Sequence, residues 1–112
     1  MKEIKAYVHS SRIADVIAAI KDSPAWGGKA GAKRHNLAAY LVKGSLVPLD
    51  GNEKHYSMDL GDEVVNEYKL ELLCEDSEVE ALSAALMDAA RTGQAVAGWI
   101  TVIDVVSATP IH

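Results

Sequence analysis

The sequence predicts a single α+β domain in which two helices cover one face of a four-stranded sheet. Segments that alternate apolar and polar side chains indicate strands, and segments with apolar side chains three or four positions apart indicate helices. These elements follow the order strand, helix, strand, long loop, strand, helix, strand. A chain of 112 residues has the length of one domain, so we treat residues 1–112 as one unit.

The first strand and the first helix have the clearest patterns. Ile4 to His9 alternate apolar and polar side chains, which is typical of a half-buried strand. Ser10 or Ser11 is a good helix N-cap, and residues 11–22 then form an amphipathic helix. The apolar stripe of this helix consists of Ile13, Val16, Ile17 and Ile20.

The next two segments differ sharply in composition. Residues 23–36 contain a proline, several glycines and a basic cluster, which predicts a flexible insertion. A second strand covers residues 37–43 and ends at Gly44. Residues 45–61 hold a further proline and an Asp-Gly-Asn sequence, which predicts a long loop with a hairpin-like turn at residues 50–51.

The second half of the chain repeats the pattern of strand and helix. Residues 63–74 form a long strand with Tyr68, Leu70, Leu72 and Cys74 on one face and Glu67, Lys69, Glu71 and Leu73 on the other. Ser77 and Glu80 are spaced as a capping box for the second helix, and Gly93 suits its C-terminal cap. The apolar stripe of this helix is Val79, Leu82, Leu86 and Ala89. Residues 99–105 form the last strand.

Two strand–helix–strand units that place both helices on one sheet face give a ferredoxin-like βαββαβ sandwich. The other sheet face is then left without a helical cover. It carries Tyr7, Ala38, Tyr40, Val42, Leu73, Trp99, Ile103 and Val105. That is more apolar surface than a monomer leaves in water, so we expect an oligomer interface there.

Charge is distributed unevenly along the chain, whose net charge is −5. Residues 1–44 hold 8 Lys/Arg and 3 Asp/Glu, whereas residues 45–112 hold 3 and 13. This asymmetry has two interpretations, ordinary solvated surfaces or a self-complementary oligomer. An acidic chain without a basic and aromatic stripe argues against nucleic-acid binding.

Other sequence features bear on location and chemistry. There is no 18-residue apolar run and no apolar signal region near Met1, and a single Cys74 cannot form an internal disulfide, so a cytoplasmic protein is expected. Cys74 is predicted in the core. The four histidines lack metal-ligand spacing and are predicted at the surface. No nucleophile–base or carboxylate pair has a recognisable spacing, so we expect no enzyme.

Several short segments, in order along the chain, match a known pattern. They are Met1–Ala6 before a helix, Val42–Gly44 opening a long loop, Tyr68–Glu71 re-entering a strand, and Ala89–Gln94 followed by Gly98 and Ile100. In these segments the chain resembles the PII signal-transduction proteins. The resemblance covers nearly the whole chain apart from residues 23–36 and the C-terminal tail.

The resemblance implies a non-enzymatic regulator of nitrogen or carbon metabolism that forms a homotrimer and binds an adenine nucleotide between subunits. It also implies that residues 45–62 form a signalling loop, which reports the ligand to a transporter, enzyme or regulator. By the same resemblance, the nucleotide site contains Ala38, Lys43, Gly44, Ser45, Leu73, Arg91, Thr92, Gly93, Gly98 and Trp99. Bicarbonate is a further ligand expected from some relatives.

The chain departs from the family pattern at charged positions. Where the family has Gly-Asp-Gly-Lys, residues 96–99 read Val-Ala-Gly-Trp, so Trp99 replaces a phosphate-binding lysine. The C-terminal tail lacks the family's arginines, and Tyr56 is one position away from the tyrosine that some members modify. We therefore expect ADP or AMP to bind as well as ATP or better. Lys29, Lys33 and Arg34 are candidates to replace the lost cations.

Two interpretations from other classes remain open. One is a metal-binding trimer of the PII-like or CutA-like kind, and the other is an adaptor that binds only protein. Trp99 itself is compatible with packing at an interface or with stacking on a ligand.

Overall fold

Five strands and three helices are present in the computed structural model, which describes all 112 residues. The strands are β1 (Lys2–His9), β2 (Ala38–Gly44), β3 (Lys54–Ser57), β4 (Asp62–Cys74) and β5 (Trp99–Asp104). The helices are α1 (Ile13–Asp22), α2 (Gly31–His35) and α3 (Val79–Ala90). None of the helices is long and apolar enough to cross a bilayer.

The strands form one antiparallel sheet in the order β2-β4-β1-β5, with β3 paired to the first residues of β4. The long helices α1 and α3 pack against each other and against one face of the sheet. The molecule is therefore a two-layer α+β structure with a topology compatible with a ferredoxin-like fold. We call the sheet face without helices the open face.

The core lies between the helices and the sheet, where alternation along the strands predicts it. Every second residue of the two central strands is buried there, together with the inner faces of both long helices. The buried set is Ile4, Ala6, Val8, Val16, Ile20, Trp26, Leu70, Leu72, Cys74, Leu82 and Leu86. The predicted core position of Cys74 is confirmed, and burial raises the pKa of its thiol.

The helix ends differ from the predicted caps because 3₁₀ turns precede both long helices. A turn at Ser10–Arg12 leads into α1, and no side chain caps it. Before α3, the capping box is formed by Glu75 and Glu78, two residues earlier than predicted from Ser77 and Glu80. Glu75 N donates to Glu78 Oε1 at 2.8 Å.

The predicted cap at the other end of α3 was also wrong. The helix stops at Ala90, and Arg91 already has extended backbone angles of φ −59° and ψ 140°. Gly93 lies further on, in a separate turn with φ of 86°. This φ is in the left-handed region that favours glycine. Gly93 therefore shapes the segment after the helix and does not end the helix.

Residues 23–36 are ordered into two 3₁₀ turns and α2, so the prediction of a flexible insertion was wrong. Trp26 is 3% exposed and His35 is 1% exposed, and their ring centroids lie 5.0 Å apart. His35 Nδ1 donates to Leu73 O at 2.6 Å. Burial of one indole and one imidazole offsets the flexibility that the glycines and proline suggest.

The predicted loop contains β3, which forms a hairpin with β4. The hairpin turn lies at residues 58–61, where Gly61 N donates to Ser57 O at 2.8 Å. A turn also exists at residues 50–53, but it does not join paired strands. Four residues of strand were missed because only the pairing with β4 supports them.

Residues 45–53 cross β4, and we call this segment the strap. Val65 of β4 pairs with both Gly44 of β2 and Lys54 of β3. One strand residue has one neighbour on each side, so β2 and β3 flank β4 on opposite sides. The chain between them must pass over a face of β4. Leu46 N donates to Glu67 Oε2 at 3.3 Å, which places the crossing on the open face.

Candidate functional site

A groove of about 540 Å³ lies at the C-terminal end of α3. Its walls come from α3, from the segment 91–98, and from the adjoining ends of β1 and β5. Five of the predicted site residues line it together: Arg91, Thr92, Gly93, Gly98 and Trp99. These five residues line one groove because they are close together in the chain.

Close backbone approach fixes the segment beside the groove. A Cβ at position 98 would overlap the carbonyl oxygen of Tyr7, so only glycine lets the chain lie against β1 there. Trp99 then pairs with Tyr7 as the first residue of β5. Thr92 Oγ1 donates to Gln94 Oε1 at 2.7 Å and accepts from Gln94 N at 3.3 Å. The groove wall therefore has a defined shape.

The groove combines an apolar floor with a basic rim. Trp99 is 62% exposed, and Leu86, Val96 and Ile100 extend the apolar surface. Arg91 is the basic residue of the rim; its Nη2 lies 3.5 Å from Asp88 Oδ1, and its carbonyl oxygen accepts from Arg12 Nε at 2.9 Å. A surface of this kind suits a flat aromatic ring with an anionic substituent, because indoles stack on rings and guanidinium groups bind phosphate oxygens.

The other five predicted residues lie elsewhere on the same chain. Lys43, Gly44 and Ser45 are at the end of β2, and Ala38 and Leu73 are at the opposite end of the open face. β2 and β5 are separated by two strands, which amounts to roughly 14 Å at about 4.8 Å per strand. This separation keeps the β2 residues Ala38, Lys43 and Gly44 away from the groove within one chain, whereas Ser45 begins the strap, which reaches the groove at Val47.

The absence of a side chain at Gly44 has a structural cause that is independent of any ligand. A Cβ at this position would overlap the carboxylate of Glu67. Glu67 is 4% exposed and accepts the Leu46 N–H. Burial raises the pKa of Glu67, although the Leu46 N–H and His9 act in the opposite direction. The glycine makes room for a buried carboxyl group at the start of the strap.

The basic cluster of the insertion lies far from the groove. Arg34 Nη2 donates to Glu78 Oε2 at 3.1 Å, beside the first residue of α3. The groove is at the other end of this 12-residue helix, about 18 Å away at 1.5 Å per residue. Within one chain, Arg34 therefore does not reach the groove.

An aromatic row crosses the open face next to the groove. The register places Trp99, Tyr7, Lys69 and Tyr40 side by side on the four strands β5, β1, β4 and β2. Lys69 Nζ lies 5.5 Å from the ring centroids of both tyrosines, within cation–π distance. Hydrogen bonding to Tyr40 and Tyr7 raises the pKa of Lys69. The lysine thus stays charged between two rings.

The centre of the open face carries ion pairs as well as apolar side chains. Lys5 Nζ lies 3.4 Å from Glu3 Oε1 and 3.8 Å from Glu71 Oε1. Lys69 Nζ is 3.5 Å from the same Glu71 oxygen. Tyr40 Oη donates to Glu71 Oε1 at 2.8 Å, and this bond is the main cause that lowers the pKa of Glu71. The face is therefore mixed in character, with charges in the middle and apolar groups towards the edges.

The strap is connected directly to the groove. Gln94 Nε2 donates to Val47 O at 2.9 Å, and Pro48 O lies 3.5 Å from the same nitrogen. Gln94 also lines the groove and is held by Thr92. The sequence pattern around Gln94 does not predict this contact, because it joins residues 47 positions apart.

The prediction that the histidines lie at the surface was wrong for two of them, His9 and His35. His9 is 0% exposed at the end of β1, under the strap. Its Nδ1 donates to Glu53 Oε2 at 2.8 Å, and no hydrogen-bond partner contacts its Nε2. The alternation of β1 predicts that His9 points to the open face, but the cover comes from a distant segment.

No group of three or more His, Cys, Asp or Glu side chains is arranged to hold a metal ion. Comparison with protein-family models and with curated protein sequences finds no match for the chain.

Proposed function

We propose that this protein is a PII-like regulator that binds an adenine nucleotide in the groove beside Trp99 and signals through residues 45–62. The observation that carries the proposal is the hydrogen bond from Gln94 to Val47, because it links the groove wall to the base of the loop. A ligand that displaces Gln94 changes the position of the strap. No histidine or carboxylate lines the groove to activate the Thr92 hydroxyl group, so binding alone is the proposed activity.

The groove supports recognition of the base and of one or two phosphates. Trp99 and Val96 offer an apolar platform, and Arg91 with the backbone N–H groups of Thr92 and Gly93 would offer donors for an anion. Thr92 adds a hydroxyl group at the same rim. The position of the family's lysine is occupied by the indole, which provides no charge for an outer phosphate.

The predicted site residues at the end of β2 would contribute to nucleotide binding only in an oligomer. Lys43, Gly44 and Ser45 of one subunit would complete the groove of another in a homotrimer. The exposed aromatic and apolar side chains of the open face, including Tyr40, support burial against further copies of the chain. A cytoplasmic location and a protein partner for the loop belong to the same proposal.

Titration calorimetry with ATP, ADP and AMP, each with and without bicarbonate, tests the ligand. We expect ADP or AMP to bind as well as ATP or better, since a lost charge-assisted contact weakens binding by about 1.5–3 kcal/mol, which is about tenfold or more. Replacing Trp99 by alanine should weaken ADP binding at least tenfold. Val106→Ala, in the exposed tail, is the matched control and should bind as wild type.

Three results contradict this assignment. A clear preference for Mg-ATP over ADP refutes the argument from the missing lysine. Thermal stabilisation by Cu²⁺ or Zn²⁺ without any nucleotide binding supports the metal-binding trimer instead. If neither a nucleotide nor a metal binds, the interpretation as an adaptor that binds only protein is supported instead.

A further inference from the structure

The strap contains the one Asp-Gly pair of the chain, at residues 50–51, and the sequence has no Asn-Gly pair. Asp50, Gly51 and Asn52 are all exposed, and a Cβ at position 51 would meet nothing within 4 Å. The φ of Gly51 is not positive, so the backbone conformation does not require glycine there. The absence of a side chain at residue 51 instead leaves its backbone nitrogen sterically free to react with the carboxyl group before it.

Hydrogen bonds hold the Asp50 carboxyl group close to that nitrogen. Asn52 N donates to Asp50 Oδ1 at 2.8 Å, and Glu53 N donates to Asp50 O at 3.3 Å. The ring that the first of these bonds closes runs from the carboxyl group through Gly51 to Asn52, so the Gly51 nitrogen is one of its atoms. Gly51 N itself donates no backbone hydrogen bond. A carboxyl carbon and an uncommitted amide nitrogen are thus kept together in one small ring.

We propose that Asp50 is a site of isoaspartate formation, and that the isomerised turn no longer holds Glu53 against His9. Gly51 N attacks Asp50 Cγ, the amide proton and the carboxyl hydroxyl group leave as one water molecule, and a five-membered succinimide forms. Water then adds to one of the two ring carbonyl carbons. Attack at Cγ restores aspartate, whereas attack at the former main-chain carbonyl carbon gives isoaspartate, an isomer of unchanged mass. The reaction does not depend on any nucleotide, so it goes beyond the proposed function.

The product changes the strap because the chain then runs through the side chain of residue 50. One methylene group is added to the backbone of the turn, and the former Asp50 carbonyl group becomes a free carboxylate outside it. The hydrogen bond from Glu53 N to Asp50 O is then lost. Glu53 Oε2 accepts from His9 Nδ1 at 2.8 Å, and Leu49 N donates to the other Glu53 oxygen. Both contacts depend on where the turn places Glu53.

Ageing of the folded full-length protein at neutral pH tests the site. Peptide fragmentation that distinguishes aspartate from isoaspartate should find the isomer at residue 50, with little at Asp22 or Asp76, because both precede serine and its side chain hinders the attack. A fresh sample digested in parallel corrects for isomerisation during the digest. A methyltransferase specific for isoaspartate, supplied with labelled S-adenosylmethionine, should label the aged sample and not the fresh one.

Two variants separate the proposed chemistry from general ageing. Gly51→Ala adds a methyl group that touches nothing in the fold, and it should slow isomerisation several-fold by hindering the nitrogen. Asp50→Glu should lose the reaction, because the ring would then need six members. The proposal is overturned by an absence of isoaspartate at residue 50 in the folded wild type, by a reaction that begins only after unfolding in urea, or by an equal rate in Gly51→Ala.

The effect on the strap is measured on the isomerised protein after chromatographic separation from the unmodified form. Amide exchange at Leu49, whose N–H donates to Glu53, should be faster than in the unmodified protein. Ala6, in the middle of β1, is the internal reference and should keep its protection. The NMR resonances of the His9 ring should shift as its contact with Glu53 is lost. Unchanged exchange at Leu49 together with unchanged His9 resonances contradicts the release of Glu53.

Discussion

At the scale of single residues, glycines set where the chain can approach buried polar groups. Gly44 lies against the Glu67 carboxylate, and Gly98 lies against the Tyr7 carbonyl group. Both positions are next to candidate site residues, Ser45 and Trp99. The absence of a side chain at each position thus lets the strap and the groove segment start where they do.

Gly44→Ala should destabilise the protein by about 1–3 kcal/mol, because the new methyl group must displace the Glu67 carboxylate. Gly51→Ala is the matched control, since nothing lies within 4 Å of a Cβ there. The control should change stability by no more than about 0.5 kcal/mol. Urea unfolding of both variants measures the difference, and equal midpoints would show that the Glu67 region adapts freely.

At the scale of elements, the insertion is attached to the sheet through His35. The carbonyl oxygen of Leu73 can only accept, so Nδ1 of His35 carries the hydrogen. Its Nε2 can then accept from Arg34 Nη2, which lies 3.2 Å away. The same guanidinium group binds Glu78, so α2 is joined both to β4 and to the start of α3.

His35→Ala should cost about 2–4 kcal/mol of stability, because it leaves a cavity beside Trp26 and a buried carbonyl group without a donor. His55→Ala, on the exposed face of β3, should have little effect. Thermal unfolding followed by circular dichroism compares the two. A melting temperature for His35→Ala that equals the wild type would mean that the insertion is not part of the cooperative core.

Local patterns predicted most of the elements, and distant contacts account for the rest. The two faces of β4 and the stripes of α1 and α3 followed from periodicity, which depends only on neighbouring residues. Burial of Trp26 was missed because it depends on a tertiary contact with α2 and α3. Five predicted residues between positions 91 and 99 line one groove because they are close in the chain, whereas the contacts of the strap with His9 and Gln94 join residues more than 40 positions apart and were not predicted.

At the scale of the whole molecule, the two unequally charged halves of the sequence are paired within one chain. Lys2 with Asp104, Lys5 with Glu71, and Arg34 with Glu78 each join a base of the first half to an acid of the second. Part of the charge asymmetry is therefore accounted for without a second copy. Exposed pairs of this kind contribute little to stability, about 0–1 kcal/mol each.

The prediction of a homotrimer depends on the apolar side chains of the open face. Ile103→Asp should convert the proposed homotrimer to monomer, because a charge buried at an interface without a partner is costly. Met58→Asp, at the tip of the β3–β4 hairpin, adds the same charge at an exposed site and should leave the trimer intact. Light scattering gives the mass of each species. A wild-type monomer at micromolar concentration contradicts the assembly.

The two tryptophans provide intrinsic fluorescent probes in two different environments. Trp26 is enclosed by the insertion, and Trp99 stands in water at the mouth of the groove. An enclosed indole fluoresces at shorter wavelength and resists aqueous quenchers, whereas an open one is quenched readily. Emission that acrylamide removes therefore belongs to Trp99, and the remainder belongs to Trp26. Changes at the groove and changes in the core can be followed separately in one cuvette, without a label.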